Sequence, residues 1–274
     1  MTYRSVESSL ARDRRLVRVI YCFLWICIII PRGLGDSAKV ITFDSRILMS
    51  RHATVDKYFD GRIAETLAKN AAEGRLKEIE QCLSEGANIN VRGRGGVTPL
   101  IWAFMKQNKA GFEYLLQHKA DPNLQMEDGR SAVAYAAMHE DIWYLRTVLK
   151  YGWNPNLENH VRSFTPICDS ISSSNAIDPR LDQVKLLIKS GANLNWQDRN
   201  GDTPLMLAVI ANQYASAYAM LEGGADPMIK NNSDCTVVTF IKMIRTIPNS
   251  ETYKWRTKVI AFLDRKGIDV EHGR

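Results

Sequence analysis

A short echo with a period near 33 residues constrains this chain more than any other feature. Thr98-Pro99-Leu100, Ser131-Ala132-Val133, Thr165-Pro166-Ile167, Thr203-Pro204-Leu205 and Thr236-Val237-Val238 recur at offsets of 33, 34, 38 and 33 residues. A second echo runs out of phase with the first. It reads Gly86-Ala87-Asn88-Ile89-Asn90, Lys119-Ala120-Asp121-Pro122-Asn123, Gly152-Trp153-Asn154-Pro155-Asn156, Gly191-Ala192-Asn193-Leu194-Asn195 and Gly224-Ala225-Asp226-Pro227-Met228. A fixed period of this size means one supersecondary unit repeated along a solenoid.

The chemistry of the two echoes describes that unit. Thr or Ser followed by Pro is a helix start, because the hydroxyl caps an orphan amide and Pro suits the first helical position. Small residues five places on, Ala103, Ala136, Ser170 and Ala208, let neighbouring helices approach closely. A second helix follows with apolar residues at spacing 3, 3, 1: Leu76, Ile79, Cys82, Leu83; Ile142, Leu145, Val148, Leu149; Leu181, Val184, Leu187, Ile188; Tyr214, Ala217, Met220, Leu221. That spacing places all four on one helical face. The next Gly fits a left-handed cap, and Lys119 stands in its place in one unit at some cost in stability. The Asn and Asp residues beyond it, with Asp128-Gly129 and Asn200-Gly201, form turns. Such a unit cannot bury its apolar face alone, so the units must stack.

Period and marks together resemble the ankyrin repeat. The resemblance implies an all-α solenoid, with a helix-turn-helix and a hairpin loop per unit, that works by binding another protein. About six units fit within 57–272, an ankyrin-repeat domain with a cap at each end. The first, near Arg62 to Asn90, lacks the Thr-Pro start. The last, from about Asn231, ends on Gly267-Ile268-Asp269-Val270, and its Lys242, Lys254, Arg256 and Lys258 suit a solvated outer face. The third internal unit is longer by about five residues at Ser172 to Pro179, which reads as a tolerated loop extension or a binding element.

The N-terminus carries a different message. Basic residues up to Arg18 precede twelve consecutive apolar residues from Val19 to Ile30, followed by Pro31 and Arg32. Twelve helical residues rise about 18 Å, short of a hydrocarbon core of roughly 30 Å. Residues 1–35 therefore read as a signal peptide or a short signal anchor, with 36–56 a linker. Gly33-Leu34-Gly35 is the best small-x-small cleavage triplet, and it is a poor one. Either form leaves the repeats outside the cytosol, in the periplasm or on the inner membrane facing it. The alternative is a cytoplasmic protein whose true start is Met49. Membrane contact is expected only through this apolar segment.

Charge, cysteine and motif content exclude several classes. The net charge of +6 is concentrated at the N-terminus, where six arginines in the first 32 residues face Glu7 and Asp13; beyond it, 30 basic and 28 acidic residues nearly cancel. A nucleic-acid partner loses its main support. Cys82, Cys168 and Cys235 lie in three different units without metal-ligand spacing or a disulfide framework. There is no Gly-x-Ser-x-Gly elbow, no phosphate-binding loop and no His-Glu-x-x-His. The five histidines, His52, His118, His139, His160 and His272, share no spacing. No catalytic residue, cofactor or metal is expected, and the unbound chain is expected to be a monomer.

In the ankyrin family the first helices and hairpin loops line a concave face, and the resemblance carries over residue by residue. Four places after each Thr or Ser stand Trp102, Tyr135, Asp169, Leu207 and Phe240. Seven and eight places after stand Met105 with Lys106, Met138 with His139, Ser172 with Ser173, and Ile210 with Ala211. These form the expected partner-binding groove, with Trp102 and Tyr135 divided evenly between groove and internal packing, and Leu207 and Phe240 favouring packing. Loop-tip residues Arg92, Arg94, Glu127, His160, Trp196, Arg199 and Lys230 would add polar contacts. The architecture is similar to bacterial ankyrin proteins of Gram-negative envelopes, some of which are immunity partners that block secreted toxins, including lipases. The competing expectation is a membrane-anchored scaffold, or a secreted protein that binds host targets.

Overall fold

The computed structural model describes residues 54–171 and 178–270. After a short 3-10 turn at Val55–Lys57, twelve α-helices follow among those residues. They are α1 (Arg62–Glu73), α2 (Leu76–Ser84), α3 (Pro99–Met105), α4 (Lys109–Gln117), α5 (Ala132–Met138), α6 (Ile142–Leu149), α7 (Pro166–Ser170), α8 (Leu181–Lys189), α9 (Pro204–Ile210), α10 (Tyr214–Glu222), α11 (Val237–Met243) and α12 (Glu251–Arg265). Each odd helix up to α9 pairs with the even helix after it, and odd and even helices each stack on the next of their kind. Contacts run between neighbouring pairs, as a solenoid requires.

Each repeated residue type has a local job. The hydroxyls of Thr98, Ser131 and Thr203 accept from the amides of Ile101, Ala134 and Met206, each at 3.3 Å. One start departs from the pattern and one extends it into a capping box. Thr165 lies 3.5 Å from the Cys168 thiol, and at the last start Thr239 Oγ1 accepts from the Thr236 amide. The four small residues Ala103, Ala136, Ser170 and Ala208 are all at 0% exposure. Gly111 shows why size matters between pairs: a Cβ there would lie 1.9 Å from the Ala71 carbonyl oxygen, so α4 meets α1 only without a side chain. Lys119 adopts a φ of 68°, the left-handed cap that its neighbours fill with Gly.

The apolar stripes of the second helices face the core through their middles. Ile79, Leu145, Val148, Val184, Leu187, Ala217 and Met220 are at 0% exposure, whereas Leu83, Ile142, Leu149, Leu181 and Ile188 are half-buried. Leu76 is a correction to the sequence reading, being exposed at 36%. It opens the second helix of the first pair, and no earlier pair among the described residues covers it.

A ladder of side-chain amides joins the hairpin loops. Asn90, Asn123, Asn156 and Asn195 each use Oδ1 to accept the amide of Asp121, Asn154, Asn193 and Asp226 in the next unit, at 2.7–2.9 Å. Each Asn or Asp at the first position also accepts the amide two residues on, which fixes its own turn. Met228 occupies the fifth rung. It has no such acceptor and is 56% exposed, so the ladder stops where the C-terminal cap begins.

The long third internal unit contributes a cap to its neighbour. Asp178 is buried, and its carboxylate accepts the amides of Ala215 at 2.9 Å and Ser216 at 3.0 Å, in the first turn of α10. An anion at a helix N-terminus meets unpaired amides and the positive end of the dipole. The end of the insertion therefore has a structural role; residues 172–177 lie outside the described residues. In the last pair α12 packs on α10, with Tyr218 5.8 Å from Trp255 and 6.0 Å from Phe262. Lys242, Lys254 and Lys258 are exposed as expected, but Arg256 is half-buried and donates to the Ile241 carbonyl at 2.9 Å. The signal or anchor segment 1–35, and the linker 36–56 up to residue 53, lie outside the described residues.

Candidate protein-binding face

The column four places after each helix start is mostly interior. Trp102 is 1% exposed, Tyr135 2% and Phe240 4%, and Asp169 is buried as well. Of the two readings of Trp102 and Tyr135, groove or internal packing, their burial supports internal packing. A segment before α1 folds back over Trp102, with the rings of Tyr58 and Phe59 5.2 and 6.2 Å away. The Tyr58 carbonyl accepts from the Arg94 amide at 2.7 Å and holds this flap against the first hairpin. Tyr135 is covered by Phe104 at 5.8 Å and by the Arg130 guanidinium at 5.9 Å, and its hydroxyl donates to Asp128. Only Leu207 of the column is half-buried.

The row seven and eight places after the start stays partly open. Met105, Lys106, Met138, His139 and Ile210 are half-buried, at or just after the C-terminal ends of α3, α5 and α9. Lys106 lies over the Trp102 ring at 4.6 Å, and burial lowers its pKa. His139 packs against Phe104 at 5.3 Å and Tyr144 at 5.0 Å, and its Nδ1 accepts from the Asp141 amide. Gln183 from α8 donates to the His139 and Glu140 carbonyls, which locks this corner to the next unit.

Several loop-tip residues are spent inside the stack. Arg92 donates to the Gln125 carbonyl, the Trp196 indole to the Ser163 carbonyl, and Arg199 to Ser163 and to the His160 carbonyl. His160 bonds Gln125. Arg94 lies 3.7 Å from Asp60, and Lys230 lies 3.8 Å from Asp234. Glu127 is exposed, and its backbone amide donates to Gly95. Beside His160, two residues that sequence reasoning did not name are exposed: Val161 at 42%, and Arg162, which lies over Phe164 at 4.9 Å.

Asp169, expected in the groove, is buried and belongs instead to a polar cluster with Asp128 and Arg130. Asp128 and Arg130 pair at 3.2 Å. Burial pushes the Asp169 carboxyl up to about 6, although Arg162, Arg130 and Arg180 pull it down and Asp128 raises it. Burial likewise raises Asp202 to about 6, although the Asn231 amide donates to its carboxylate at 2.7 Å. The Asp128-Gly129 turn was legible, but partners some 30 residues away in sequence leave no local mark. Among the described residues no group of three or more His, Cys, Asp or Glu could hold a metal ion, and no helix is long and apolar enough to cross a membrane.

A stack of paired helices with capped starts, an Asn ladder and a partly open row of side chains defines a repeat scaffold built for protein contact. The family comparison agrees: a family model described as ankyrin repeats (3 copies) matches residues 67–159 and 165–231. The chain belongs to the ankyrin-repeat family and carries its protein-interaction module. It is similar to protein PhlB of Serratia liquefaciens, 36% identical over 155 residues that cover 57% of this chain and 66% of PhlB. Escherichia coli YahD is 29% identical over 167 residues, covering 57% of this chain and 78% of YahD. Human mitochondrial disaggregase is 27% identical over 187 residues, covering 66% of this chain but only 26% of that protein. The crystal structure of an ankyrin repeat domain from Acinetobacter baumannii superposes with a TM-score of 0.60 at 22% identity, covering 71% of this chain and 95% of that one, and shares the fold.

Proposed function

We propose that this chain is a non-enzymatic binding protein, exported to the periplasm or envelope, that blocks a secreted toxin such as a lipase by covering its active site. The observation that carries the reading is the partly open row of Met105, Lys106, Met138, His139 and Ile210 at the C-terminal ends of the first helices, together with half-buried Leu207 of α9. Methionine is enriched at interfaces and adapts its shape to a partner. The charged start and apolar run before Ile30 support export, and the similarity to bacterial proteins such as PhlB and YahD is consistent with a bacterial setting. Occlusion needs no cofactor and no catalytic side chain.

The poor cleavage triplet at Gly33-Leu34-Gly35 favours a second reading, a retained anchor with the stack as a membrane scaffold or, if the chain is released, as a binder of host targets. Capture of partners by the full chain from the source cell's envelope separates the two. The inhibitory reading predicts one stoichiometric hydrolase that is inactive in the complex. A spread of envelope proteins, or an enzyme that stays fully active when bound, contradicts it.

A further inference from the structure

The C-terminal cap combines exposed apolar tips with unbalanced positive charge. Ile247 is 78% exposed, the most exposed large apolar side chain among the described residues, and sits in the loop between α11 and α12. Met243 at 46% and Tyr253 at 38% flank it in sequence. Within residues 242–258, five basic side chains, Lys242, Arg245, Lys254, Arg256 and Lys258, stand against one acid, Glu251. Glu251 is already bonded to Lys254 at 3.1 Å, and Arg256 is engaged by the Ile241 carbonyl. Lys254 and Lys258 lie one turn apart on the exposed side of α12. Lys258 rests 3.8 Å from the centre of the half-buried Trp255 ring.

From this arrangement we infer that the cap docks on an anionic phospholipid surface. Ile247 is a protruding tip, not the floor of a groove. A rigid protein partner would need a matching pocket for it, whereas the headgroup layer opens around an apolar wedge. Exposed cations of the same cap meet lipid phosphates. The contact is peripheral and needs no spanning helix.

The test is cosedimentation of the full chain with phosphatidylcholine vesicles, with and without phosphatidylglycerol. The variant Ile247→Asp/Lys254→Gln/Lys258→Gln is compared with the control Lys69→Gln/Lys77→Gln, which removes two exposed cations at the other end of the stack. All substituted side chains are exposed, and circular dichroism checks that each chain is folded. The apolar N-terminal run is common to all the proteins, so differences between them report the cap. The expected result is a loss on the order of thirtyfold in binding to anionic vesicles for the first variant, since each cation near such a surface contributes about fivefold, with the control unchanged. Equal binding by all three chains, or an equal loss in both variants, overturns the inference. Binding to poly-glutamate that disappears in the first variant, with no preference for anionic over neutral vesicles, assigns an acidic protein instead and overturns the lipid reading.

Discussion

Asp169 shows how one residue within the repeat contributes to the pH response of the molecule, as the similarly raised Asp202 does. The ordinary carboxyl value of 3.8 rises to about 6 because burial disfavours the charged form. The folded state therefore holds a proton that the unfolded state releases, so stability falls as pH rises through the window from about 4 to 6. Asp169→Asn removes the charge, and in thermal or denaturant unfolding at about pH 8 it is expected to be more stable than the parent by up to about 3 kcal/mol. The gain should vanish below about pH 4, and a gain that persists there would show that ionisation is not its source. Trp102 carries the opposite lesson. As a side chain at 1% exposure under Tyr58 and Phe59, Trp102→Ala should cost about 3 to 5 kcal/mol as a core cavity. A cost near zero in denaturant unfolding would place it on the surface after all.

At the scale of elements, the starts, the left-handed caps and the small residues between helices were legible because each is a local rule. Thr98 caps its own helix, Lys119 takes its own φ, and Ala103 touches the adjacent pair at a fixed offset. The rungs made by Asn90, Asn123, Asn156 and Asn195 repeat with the sequence, yet their inter-unit partners became visible only with the fold. The candidate site was less legible. The resemblance placed Trp102 and Tyr135 at the right position of the helix, but exposure there depends on what covers it. Tyr58 and Phe59 precede the first repeat helix, and Arg130, although inside a repeat loop, has no counterpart in the repeated marks. Asp178 is a similar case, since a residue at the end of a length irregularity caps α10 in the next unit. Asp178→Ala should cost about 1 to 2 kcal/mol and weaken amide-exchange protection first at Ala215 and Ser216. Protection lost evenly along the chain, or not at all, would mean that Asp178 does not cap this helix.

For the molecule as a whole, nearest-neighbour stacking joins the described pairs into one surface with different chemistry along it. The first helices offer a row of methionine and aliphatic side chains with Lys106 and His139, and the far cap offers exposed Ile247 and exposed cations. The hairpin tips, by contrast, are largely bonded to one another, so binding is expected to centre on the row. The most direct measurement is calorimetric titration of the captured partner with the parent chain and with Met105→Asp/Met138→Asp, their thermal unfolding matched beforehand. The few side chains that dominate an interface cost about 2 kcal/mol or more when lost, so with these methionines as its anchors the double variant should bind at least about thirtyfold more weakly. Unchanged affinity in a folded variant would contradict the assignment of this row as the binding face.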